Sequence, residues 1–112
     1  MSDEELKRKL AERYAAWDRR RQEIFLAEVA SWLTLEGRGT YIPGGMDLAD
    51  APRMRKINEA VHRILGHLTA LMAGSEERRP DNVMIDLIVD LFRDVGANPQ
   101  RLFEFPRDRL PR

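Results

Sequence analysis

The chain contains no cysteine. Disulfide scaffolds, thiol nucleophiles and cysteine-based zinc sites are therefore excluded. It also lacks an excess of either charge, with 19 Lys and Arg residues balanced by 19 Asp and Glu. Phosphate neutralisation supplies most non-specific nucleic-acid affinity, so any such binding would need a local basic patch. No apolar run approaches the roughly 20 residues that span a bilayer. The opening residues Ser2, Asp3, Glu4 and Glu5 are acidic or neutral, the wrong chemistry for a signal or transit peptide. The expectation is a cytoplasmic protein.

What is present points to helices. The 112 residues suit one domain spanning positions 1–112, with enough chain to bury about two-thirds of its unfolded surface. Charged residues make up 34%, and much of the rest is Ala and Leu. That composition favours helices with solvated faces, hence an all-α fold. No internal repeat or low-complexity segment interrupts it.

Ser2 and Glu5 have the spacing of a capping box. The pattern predicts a first helix over residues 3–36, ended by Gly37. Its first half carries one apolar stripe, at Leu6, Leu10, Tyr14 and Trp17. Its second half is richly apolar from Ile24 to Leu35. Residues 37–50 hold four glycines and a proline and read as a loop. A second helix is expected over 51–73, with Met54, Ile57, Val61, Ile64, Leu68 and Leu71 at steps of three and four. Gly74 stops it. A third helix is expected over 81–95, stopped by Gly96 and the Asn98-Pro99 turn. Residues 97–112 read as an extended tail or single turn, anchored by Leu102, Phe103 and Phe105.

The expected architecture is thus a small bundle of three main helices, a long first helix beside an antiparallel hairpin of the second and third. Lengths follow at about 1.5 Å per residue: roughly 50, 35 and 22 Å. The first helix would overhang its neighbours. The third is apolar around most of its circumference, and such a helix must be covered on more than one side. Both features predict a two-fold homodimer. The candidate interface is Trp32, Met84, Ile85, Ile88, Val89 and Phe92.

The motifs carry little chemistry. Gly39 and Gly44 have the outer spacing of a phosphate-binding loop, but Gly45 and Met46 stand where Lys and Ser or Thr are required. His62 and His67 are five apart, whereas helical metal pairs want three or four. Asn58 and His62 are four apart beside the apolar stripe. With Tyr41 they could form a polar contact or ligand site, although no nucleophile or second base accompanies them. Asp86, Asp90 and Asp94 repel one another at four-residue spacing. They could hold a divalent cation, but interhelical pairing with Lys56 and Arg63 across the hairpin is favoured. Arg53, Arg55 and Lys56 oppose the dipole at the start of the second helix, and an anion there would compensate.

The runs Lys7-Arg8-Lys9 and Arg19-Arg20-Arg21 are interrupted by acids and read as solvated faces. Trp17 and Trp32 read as core or interface anchors. No catalytic, metal or cofactor site is assigned. The expectation is a non-catalytic protein–protein interaction or regulatory module working as a homo-oligomer, with its partner unidentified. One alternative is a dimeric nucleic-acid-binding regulator using Arg19, Arg20 and Arg21 or Arg53, Arg55 and Lys56. The other is a small ligand-binding protein or enzyme with a polar site around His62.

Overall fold

A computed structural model describes residues 2–38, 51–75, 80–94 and 96–106. Every regular element among them is helical. The order is α1 (Asp3–Ala16), α2 (Arg19–Arg38), α3 (Ala51–Met72), α4 (Asp81–Asp94) and a 3-10 helix (Pro99–Glu104). The all-α expectation holds; the count of three main helices does not.

The long first helix is two helices. α1 begins as anticipated, with the Ser2 side chain accepting a hydrogen bond from the Glu5 N–H. It ends at Trp17, whose backbone is extended (φ −81°, ψ 152°). Asp18 then starts α2, its Oδ1 accepting the Arg21 N–H at 2.8 Å. Asp is among the best N-cap residues because its side chain satisfies an otherwise unpaired backbone donor. The Gln22 side chain donates to the Tyr14 carbonyl at the end of α1 (2.9 Å), so both broken ends are closed. Tyr14, Trp17 and Phe25 fill the inside of the bend, with ring centroids 5.3 to 6.1 Å apart. Arg13 and Arg21 each lie over the Trp17 ring. α2 continues through Gly37 to Arg38, past the glycine expected to stop it.

The bend changes which helices pair. α2 packs most extensively on α3, and α1 on α4; the α3–α4 contact is slight. The predicted hairpin is therefore not the main pairing. α1 runs antiparallel to α4, tied by Asp3 to Arg93 through two hydrogen bonds (2.6 and 3.3 Å) and by Lys7 to Asp90 (2.8 Å). The counter-charge for the acidic stripe comes from α1, not from Lys56 or Arg63. Those two residues would need the hairpin register to reach it.

The turns that stop α3 and α4 are those read from the glycines. Gly74 and Gly96 adopt positive φ (69° and 79°). Ser75 N–H bonds back to the Ala70 carbonyl, and Ala97 N–H to that of Phe92. These are the six-to-one bonds of a Schellman stop, and they need a left-handed residue. Beyond the second stop, Asn98 caps the 3-10 helix through Gln100 N–H. This short helix replaces the expected extended tail over its span. It inserts Leu102 into the core, and Phe105 follows directly behind. Residues 107–112, the remainder of that tail, lie outside the described residues, as does loop 39–50.

The core therefore closes α4 within one copy. Met84, Ile85, Ile88, Val89, Leu91 and Phe92 are all buried, with α1, α3 and the 3-10 helix packed on α4 and Trp32 of α2 reaching Phe92. Trp32 stacks on Phe92 at 4.8 Å and is covered in turn by Arg101. Of the candidate interface Trp32, Met84, Ile85, Ile88, Val89 and Phe92, the five α4 residues are buried within one copy and form no open face, while Trp32 is half-buried. The argument that α4 needs a second chain fails, because it did not count the 3-10 helix and the folded-back α1 as cover.

Phe92→Ala should cost about 3–5 kcal/mol in urea denaturation, a large-to-small change in a closed core. Asp18→Ala should cost about 1 kcal/mol, the usual worth of an N-cap. The Arg93 guanidinium holds the Asp3 carboxyl below its ordinary pKa. A lowered folded pKa gives stability that is complete above the unfolded value and fades as pH falls through the folded one. Asp3→Asn should therefore reduce the stability lost between about pH 7 and pH 3. Lys7 is raised by Asp90, so its contribution is full at neutral pH and fades only above the usual lysine range.

Candidate interaction surface

Four of the sequence-predicted polar residues stand on α3. Arg55, Lys56, Asn58 and His62 are exposed side chains along the solvent side of α3. Tyr41 and the side chain of Arg53 lie outside the described residues. Among the described residues, no group of three or more His, Cys, Asp or Glu side chains could hold a metal ion. No described helix is long and apolar enough to cross a membrane. Arg19, Arg20 and Arg21 diverge, since successive helical residues point about 100° apart. Arg19 reaches toward Gly74, Arg20 is on the outer face of α2, and Arg21 covers Trp17.

Sequence spacing treats His67 only as a partner for His62. It is instead buried (4% exposed), with Nε2 3.3 Å from Asp81 Oδ1. It joins α3 to the first residue of α4. Its position has a signal in the sequence: Ile57, Ala60, Ile64, His67 and Leu71 step by three and four, and this is the buried stripe. The expected stripe places Val61 and Leu68 there, but both are only half-buried. The core face of α3 is rotated toward the smaller Ala60 and the polar His67.

That rotation displaces apolar residues to one flank. Met54, Val61, Leu65, Leu68 and Met72 recur at steps of seven, four, three and four, so they line one side of the helix. Leu65 is 41% exposed and Met72 62%. The C-terminal part of this flank forms one wall of a groove of about 300 Å³. α2 supplies the other wall through Ile24 and Ala27, with Arg20, Glu23 and Glu28 on the rim. The helices pair antiparallel here, because Arg19 at the start of α2 lies beside Gly74 at the end of α3. Met72 therefore sits at the Arg20 end of the groove. Arg20 is extended into solvent, 75% exposed and 3.9 Å from Glu23.

Sequence periodicity misses this surface because the two apolar stripes of α3 overlap. A single run of three- and four-residue steps can be drawn through either. The chemistry the groove offers is apolar packing framed by both charges. Its lining residues include no nucleophile and no paired acid and base.

No family model, no curated protein and no solved structure matches the chain.

The groove and the core make opposite demands on neighbouring residues. Leu71→Ala should cost about 2–5 kcal/mol, because Leu71 is buried. Met72→Ala should stay within about 0.5 kcal/mol of the parent, as exposed sites do. Paired thermal melts check the contrast.

Proposed function

We propose that the chain is a non-catalytic protein–protein interaction module that assembles with copies of itself, and that the groove between α2 and α3 is its contact surface. The carrying observation is the apolar flank of α3, where Leu65 and Met72 are exposed and Leu68 and Met72 line a groove against α2. An apolar groove rimmed by polar groups offers a partner helix a place to pack. Met72 suits such a site, since its flexible thioether fills irregular gaps. A regulatory or adaptor role in the cytoplasm fits a small module of this kind.

The two other readings draw less support. The three consecutive arginines spread around α2 instead of forming one basic face. Asn58 and His62, the described residues of the polar-site reading, are exposed along one helix, and those two alone form no concave, convergent set of polar groups.

Light scattering coupled to size exclusion should give twice the 13.0 kDa chain mass at micromolar concentration. Met72→Glu should return the mass to that of one chain with unchanged helical circular dichroism. A single-chain mass for the parent at every concentration, or a dimer indifferent to Met72→Glu, would refute the reading.

A further inference from the structure

We infer that the occupant of the groove is the α2 helix of a second copy, crossing α2 antiparallel about a two-fold axis at Ile24. This rests on the interaction reading above and specifies its partner and register.

Arg20, Ile24 and Glu28 are spaced by four, so they form one ridge of the kind that runs obliquely along a helix. All three line the groove. Two such ridges lie side by side when helices cross at about −50°, the commonest packing class. A two-fold axis at Ile24 sets each residue before it against the residue equally far behind it on the partner. Arg20 then meets the partner's Glu28, and Glu28 meets the partner's Arg20. One ridge thus complements itself, with a cation and an anion placed symmetrically about an apolar centre. Isologous interfaces demand this self-complementarity.

The neighbouring register is worse. If Ile24 faced the partner's Ala27, Glu23 would oppose the partner's Glu28, two like charges brought together twice. Small side chains also permit the crossing: Ala27 and Ser31 are exposed on the same side of α2 and let the backbones come close. Met72 fits the same geometry. It sits at the Arg20 end of its own groove, which the symmetry sets against the Glu28 end of the partner's. Each Met72 would then lie over the half of the partner's groove that its own Met72 does not cover. Charge complementarity selects a second copy over an unrelated helix, because the ridge is its own match.

The absence of native cysteine makes the register directly testable. Ile24→Cys should be joined into a covalent dimer by a short bis-maleimide. Ser31→Cys should not be, because two-fold symmetry sets its copies about 20 Å apart at 1.5 Å per residue. Arg20→Glu and Glu28→Arg should each weaken dimerisation about tenfold or more, as close interfacial charge pairs do. The double reversal R20E/E28R should restore it, an outcome that loss of a merely structural contact would not produce. A monomeric parent overturns both the interaction reading and this register. A dimer dissolved by Met72→Glu, but with no cross-linking of the Ile24→Cys variant and no rescue by the double reversal, overturns the register alone and leaves the surface standing.

Discussion

The break at Trp17 and Asp18 decides how every other helix is used. A continuous helix through this point would have carried Leu6 and Leu10 away from the rest of the apolar surface. Ending α1 there costs backbone hydrogen bonds, and local groups make them good. Asp18 caps the new N-terminus, Gln22 takes a carbonyl left over from α1, and three aromatic rings fill the corner. With the bend made, α1 lies along α4 and α2 along α3. Two antiparallel pairs then share one core, and the short 3-10 helix closes the end that would otherwise stay wet.

Much of this is legible in the residues. The helical class, the capping box at Ser2 and the two glycine stops come from local chemistry, which a single sequence displays fully. The break is partly legible too, because Asp18 stands where an N-cap would. It is hidden by Leu6, Leu10, Tyr14 and Trp17, whose spacing continues smoothly up to the bend and suggests that nothing ends there. Helix pairing is not legible. Asp90 could be neutralised by Lys56, Arg63 or Lys7, and only the path of the chain chooses Lys7.

The expected dimer face shows the same limit from the other side. Residues 83 to 94 are apolar enough to demand cover, and the demand is real. Its source differs from the expected one, because Leu102 and Phe105, read as anchors of the tail, supply part of the cover that a second chain was expected to give. With most of α4 covered, the exposed large apolar side chains among the described residues are Leu65 and Met72 on the flank of α3 and Val83 near the start of α4. His67 explains why that flank exists. A buried imidazole beside Asp81 occupies the core position expected of Leu68, and the half-buried Leu68 joins Met72 in the groove wall.

The clasp between α1 and α4 has a consequence for how the molecule is made. Asp3 and Arg93 are separated by 90 residues, as are Arg13 and Phe103. A helical protein ordinarily folds fast because its contacts are local. Here α1 meets its main partner, α4, only across about 80 intervening residues, and closing that loop carries an entropic cost that the neighbouring α2–α3 pair does not bear to the same degree. The α2–α3 pair, joined by a much shorter stretch of chain, is complete well before. Nascent chains halted ahead of α4 would therefore lack the α4 side of the cover over Leu6 and Leu10, and that interval is when the chain is most exposed to chaperones and to premature aggregation.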